Sequence, residues 1–245
     1  MYKFIGSFFV LIFFSITISS CDPDTGTINI FSDSDDVQLG LQVQSEIAAN
    51  TSEYPKFNGD PSIKSYITSR IFNEVLNSSK ILKKNSFQYK VEIIDKNIYN
   101  AFALPGGGVY LYTGLLKYID SEAALAGIIA HEIAHCERRH ATNRMTKQYG
   151  VTLLLSIVLG EKPSELAQMA ANLFVGLALL ANSRADENEA DEYSMNYLRD
   201  TRYYPGAVKF FFEKMRDDGL VSQGSGTIET FLSTHPDPLD RISGI

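Results

Sequence analysis

Ala130-His131-Glu132-Ile133-Ala134-His135 is the stretch on which the reading of this 245-residue chain turns. Residues four apart share one face of an α-helix, so His131 and His135 can bring two imidazoles to a single metal ion. Glu132, one step around from His131, can reach a water on that metal and act as general base. The same five-residue HExxH pattern also arises by chance on ordinary helices, so the rest of the chain must choose between the readings.

The flanks suit a rigid site. Asp120 or Ser121 fits a helix cap and Glu122 its first turn, and residues 123–130 are apolar nearly all round. That pattern predicts a buried helix, where a metal site can be held firmly, turning polar at Glu137-Arg138-Arg139-His140. Cys136 follows His135 and points away from the histidine face, which reads as packing. Downstream, Ser183-Arg184-Ala185-Asp186-Glu187-Asn188-Glu189-Ala190-Asp191 opens a helix running towards Leu198. A catalytic zinc takes a third protein ligand besides two histidines, plus water. Glu187 and Asp191 stand four apart on one face, so one carboxylate can bind metal while the other accepts the ring N–H of a ligating histidine. Alone, such an acidic run is an ordinary solvated helix start.

Before the motif helix, apolar spacing predicts helices over residues 37–49 and 61–82, with Asp60 as cap and Pro61 in the first turn of the second. Short strands follow at 88–95, 101–104 and 109–112, the last two joined by Pro105-Gly106-Gly107-Gly108. No lysine-bearing helix follows the glycines in register, so a phosphate loop is excluded. A strand here can instead form a cleft edge that pairs with an extended peptide. Residues 151–159 and 166–181 are the most apolar of the mature chain, yet the first falls far short of the about 20 residues needed to span a bilayer, and the second carries Gln168 and Asn172. They read as a helical pair over the motif helix, serving as a lid or a membrane contact.

The N-terminus reads as an address. Lys3 precedes an apolar run ending Ile18-Ser19-Ser20-Cys21, the pattern of a lipoprotein signal peptide over residues 1–20, with lipid on Cys21 holding the chain at a membrane. Residues 21–36 are acidic and read as a flexible tether. With two cysteines and one lipidated, no disulfide is expected. A net charge of -7 with scattered basic residues argues against nucleic acid as a partner.

His131-Glu132-Ile133-Ala134-His135 with Arg139-His140, then Ser183-Arg184, Glu187 and Glu189-Ala190-Asp191, resemble the HtpX/BepA/LoiP-type zinc metallopeptidases, which include the Ste and Oma proteases. Asn100 to Gly107 resembles that family's strand and turn before the active helix, and Ser233-Thr234-His235-Pro236-Asp237-Pro238 its C-terminal His-Pro element. The resemblance implies one zinc ion per chain held by His131, His135 and Glu187, Glu132 as general base, and Asp191 supporting a histidine ligand. It implies that His235 lies beside the zinc, either as a resting-state ligand or as a stabiliser of the oxyanion, and that Asn100, Ala101, Phe102 and Ala103 contact substrate. His140 is expected to be structural or a helper near the site. The helical-repeat domain of BepA-type proteins and the membrane spans of HtpX and Ste proteins are not expected; size and lipobox resemble the small LoiP-type lipoproteins. Gly108 departs from the bulkier residue many relatives carry.

The expectation is therefore an α+β, mostly helical zincin (gluzincin-like) domain over residues 37–245, with a small β-sheet beside the HExxH helix. Its expected activity is zinc-dependent peptide-bond hydrolysis on unfolded or misassembled proteins, from a lipid-anchored position facing the periplasm of a bacterial envelope. The alternative is a latent or chaperone-like zinc module that binds such proteins and rarely cuts them.

Overall fold

The computed structural model describes residues 28–158, 182–220, 231–236 and 238–242. In chain order its elements are α1 (Asp33–Ala49), α2 (Pro61–Tyr66), a π-helical stretch (Ile67–Phe72) running into α3 (Asn73–Leu76), a 3-10 turn (Lys83–Asn85), β1 (Lys90–Ile94), β2 (Ala101–Ala103), β3 (Gly108–Tyr112), α4 (Thr113–Tyr118), α5 (Glu122–Glu137), α6 (His140–Val158), α7 (Arg184–Leu198), α8 (Val208–Asp217) and α9 (Pro238–Ile242). This is the mostly helical α+β architecture the sequence predicts.

Helix α5 is the axis. The Ser121 side chain accepts from the Ala124 N–H at its start, and every residue from Ala124 to Glu137 is buried. It contacts α7, α8 and the sheet. At Gly127 a Cβ would lie 2.3 Å from the Val208 backbone nitrogen, so only glycine lets α8 approach this closely. The sheet has the order β1-β3-β2, with β3 parallel to β1 and antiparallel to β2. β3 is central and buried throughout, and β2 is an edge strand. The hairpin between β2 and β3 uses positive φ at Gly106 (74°) and Gly107 (111°), where both glycines also press against backbone.

The turn from α5 into α6 is made without glycine. Arg139 takes φ 57°, a left-handed conformation that costs an L-residue about 1–2 kcal/mol. Its guanidinium supplies the compensation: Nε donates to Asp36 Oδ2 at 2.8 Å, and Nη2 donates to Asp36 Oδ1 at 3.1 Å and to the Phe31 carbonyl at 2.5 Å. Asp36 is 0% exposed. Asn29 reaches the same corner, donating to Thr142 Oγ1 at 3.0 Å.

Three expectations need correction. Helix α1 begins at Asp33, capped by Ser32, so the last four residues of the stretch read as a tether are helical, and Asp36 is packed. The second helix stops at Leu76 rather than continuing to 82, because Ser78 and Ser79 turn away to donate to Asp200 Oδ2, and the Leu82 and Lys83 N–H groups are taken by Glu137 Oε1. Residues 151–158 are the end of α6 and not a separate helix. Residues 159–181, the signal peptide, Cys21 and residues 21–27 lie outside the described residues. No helix among those described is long and apolar enough to cross a membrane.

The Asp36–Arg139 pair yields a stability prediction. Asp36→Ala removes the buried carboxylate from Arg139, leaving the Phe31 carbonyl and Asp33 at 3.5 Å, and is expected to cost about 3–5 kcal/mol. Urea unfolding of the variant measures this; a loss under about 1 kcal/mol would show that the pair is not what holds the turn.

Candidate metal centre

His131 and His135 occupy one face of α5 and point their Nε2 atoms at the same spot, 2.9 Å apart. Helix α7 crosses beside them. Its Ser183 cap and capping box fix the first turn, and Glu187 hangs inward from that turn with no exposure of its side chain. Glu187 Oε2 lies 3.4 Å from His131 Nε2, and Oε1 lies 3.3 Å from His135 Nε2. His235 arrives from the far end of the chain, its ring stacked on Phe231, with Nδ1 3.2 Å from both Glu187 oxygens. One ligand atom from each of His131, His135, Glu187 and His235 falls within 4.8 Å of all the others. A tetrahedral cation with bonds of about 2.1 Å spaces its ligands roughly 3.4 Å apart, so these separations fit a small cation.

The protonation pattern agrees with that fit. His140 Nε2 lies 2.9 Å from Glu189 Oε2, and a carboxylate can only accept, so His140 donates to it from Nε2. Its Nδ1 then accepts from His135 Nδ1, 2.7 Å away, which leaves His135 Nε2 as a bare lone pair. On the other side, His131 Nδ1 sits 2.9 Å from Asp191 Oδ1, which turns Nε2 toward Glu187. Asp191 is itself clamped by Arg241, whose Nε and Nη2 each donate at 2.7 Å. Arg241 also donates to Glu187. Arg241 is thus shared by two buried carboxylates, Glu187 and Asp191, with the buried Glu132 close by, an accumulation of acid that suits a cation.

Burial strongly disfavours charge here, and the exceptions mark the chemistry. Burial holds His135 well below the ordinary imidazole range despite Glu187, keeping it neutral. Burial also opposes charge on His131, yet Asp191 and Glu187 outweigh it and raise the ring to about 9, making its nitrogen the stronger base. For Glu187, burial is overcome by His235, His131 and His135, which keep the carboxylate ionised. Glu132 is pushed up by burial, with His235 and His131 acting against it, as suits a group that must take up a proton. Its Oε1 lies 3.6 Å from His235 Nε2.

The structure brings His131, Glu132, His135, Glu187, Asp191 and His235 into one buried cluster. Of the four residues expected to contact substrate, Phe102 and Ala103 border the cavity beside Glu132 and His135, whereas Asn100 and Ala101 do not. Asn100 is buried, its side chain accepting from the Ala101 N–H, so it shapes the entry to β2. Sequence reasoning missed Arg241, Asn182 (which donates to Glu187 Oε1 at 2.5 Å) and the joint role of His140 and Glu189. A count of buried acids against nearby bases is the signal that points to Arg241. Cys136 is buried and donates to the Leu104 carbonyl at 3.3 Å, a packing role.

If the His140–Glu189 chain sets the proton on His135, then His140→Ala is expected to weaken divalent-metal binding by about 10–100-fold, with Glu189→Gln moving it the same way. Competition with a fluorescent chelator measures the affinity; unchanged binding in both variants would break the relay.

Comparison with known proteins gives this cluster a context. Residues 64–245 match the model of Peptidase family M48. The chain is 29% identical over 232 residues to the beta-barrel assembly-enhancing protease of Escherichia coli (strain K12), an alignment covering 90% of this chain and 45% of that protein. It is 31% identical over 148 residues to mitochondrial metalloendopeptidase OMA1 of Arabidopsis thaliana, covering 60% and 29%. For OMA1 of Schizosaccharomyces pombe the figures are 29% over 195 residues, covering 76% and 55%. The chain therefore spans between about a third and about half the length of these relatives. The matched span contains every residue of the metal-capable cluster, and the chain belongs to peptidase family M48, a family of metallopeptidases.

Proposed function

We propose that this chain is a zinc-dependent metalloendopeptidase acting in protein quality control at a bacterial cell envelope. The observation that carries the reading is the convergence of His131, His135, Glu187 and His235 within 4.8 Å, beside the buried carboxylate of Glu132. His131, His135 and Glu187 would hold the zinc, which when bound polarises a scissile carbonyl and makes water nucleophilic near neutral pH.

The remaining steps belong to the chain's own groups. Glu132 takes the proton of the attacking water on a carboxylate oxygen and hands it to the leaving amine. Its burial keeps the proton-bound form accessible in that exchange. Asp191 and His140 hold the two histidine rings by their Nδ1 atoms, so that neither ring turns during the reaction. The substrate lies extended along β2, the edge strand among the described residues, where Phe102 and Ala103 border the cavity. Misassembled or unfolded envelope proteins are the substrate class, in keeping with the names of the bacterial relatives. Lipid on Cys21 would hold the domain at the membrane, facing the periplasm.

The contacts of His235 support a second state of the same molecule. With Nδ1 on Glu187 and Nε2 near Glu132, its ring occupies the approach to the base. A latent, chaperone-like form that binds unfolded proteins with little cleavage follows if that ring stays.

Glu132→Gln is expected to retain one zinc per chain and to lose cleavage of an unfolded casein by at least about 10²-fold, the lower end of general-base contributions. Cleavage at the wild-type rate would end the mechanism. His235→Ala separates the two states: faster cleavage identifies a restraining ring, and slower cleavage with zinc retained identifies an oxyanion stabiliser.

A further inference from the structure

Arg144 is a charged side chain bordering the cleft that this chemistry leaves unused. It stands on α6 one turn beyond His140, on the same helix face, and borders the cavity together with Glu132, His135, Asn182 and His235. Its Nε and Nη1 are buried and have no hydrogen-bonding partner among the described residues. The other guanidinium lining the cavity, that of Arg139, is taken up by Asp36. Burial draws the Arg144 pKa down while Asp186 and Glu187 oppose it, and a guanidinium remains a cation under those influences.

The two carboxylates that act on it, Asp186 and Glu187, already have partners. Asp186 Oδ2 accepts from the Ser183 N–H at 3.1 Å as part of the α7 capping box. Glu187 is surrounded by imidazoles, Asn182 and Arg241. A half-buried cation whose Nε and Nη1 donors are unused is a cost to the fold, and it is relieved when an anion arrives in the cavity. The cavity measures about 60 Å³, enough for a small polar group.

We propose that Arg144 is a specificity-determining residue, receiving the side-chain carboxylate of an Asp or Glu close to the scissile bond of the peptide. The proposal rests on the endopeptidase reading and adds a substrate class to it. A charge-assisted hydrogen bond made in a desolvated cleft discriminates between a carboxylate and its amide isostere by about tenfold or more.

The test uses the full chain and pairs of peptides built on a mapped cleavage site, identical except for Asp against Asn at one position within three residues of the cut. Each pair is made with a free and an amidated C-terminus. The wild type is expected to favour the Asp member by about tenfold in kcat/KM, with amidation making no difference. In Arg144→Gln that ratio is expected to fall below about twofold, and in Arg144→Lys to be intermediate. A ratio unchanged in Arg144→Gln, no preference in the wild type, or a preference that follows the C-terminal carboxylate would each overturn the proposal. A variant that fails to fold leaves Arg144→Lys to carry the comparison. Should the wild type cleave no unfolded protein, so that no site can be mapped, the endopeptidase reading fails separately and the pairs are built on an arbitrary unfolded sequence. The same pairs are then titrated by fluorescence anisotropy into Glu132→Gln and Glu132→Gln/Arg144→Gln chains. Tighter binding of the Asp member that disappears with Arg144 supports the assignment, and equal binding overturns it.

Discussion

A carboxylate with no exposure sits at the centre of this domain, and the fold is arranged so that it can stay ionised. Glu187 is tolerable in that position only because its partners come from every side: His131 and His135 on α5, His235 after Phe231, Arg241 on α9 and Asn182 just before α7. An unpaired charge in such surroundings would cost several kcal/mol, so removing any one group shifts the burden to the others. The elements that supply these partners are distant in sequence, and the cluster therefore ties α5 to α7 and to the segments carrying His235 and Arg241.

Rigidity follows from the same arrangement. Helix α5 is buried along nearly its whole length, so its two histidines have no room to swing. Their Nδ1 atoms are held by Asp191 and His140, and those residues are in turn held by Arg241 and Glu189. The strained backbone at Arg139 belongs to this scheme. A left-handed residue between α5 and α6 turns the chain sharply enough for His140 to face back to His135. Asp36, on the first helix, holds that turn from a part of the chain that carries none of the chemistry.

Much of this was legible in the sequence, for a reason that also sets the limit. Spacing reports which residues share a face, so His131 with His135 and Glu187 with Asp191 could be read from intervals of four. A cap at Asp120 or Ser121 announced α5, the acidic run after Ser183 announced α7, and the glycines at 106 and 107 announced their turn. Partnerships across long stretches leave no such trace. Nothing local links Asp36 to Arg139, His140 to Glu189, or Asp191 to Arg241; each is fixed only when helices pack. The helix expected to run to residue 82 shows the converse failure. Ile81 and Leu82 prolong the apolar pattern, but Ile81 is buried from a loop and Leu82 is 69% exposed, because Glu137 and Asp200 capture the backbone and side-chain donors around them.

Anomalous diffraction from crystals of the zinc-loaded protein, collected on both sides of the zinc absorption edge, addresses the cluster without relying on activity. The account predicts one strong anomalous peak per chain, within bonding distance of His131 Nε2, His135 Nε2 and a Glu187 oxygen, with Glu132 close by and outside the ligand set. A peak elsewhere, or none at that position in crystals whose solution shows bound zinc, would contradict it.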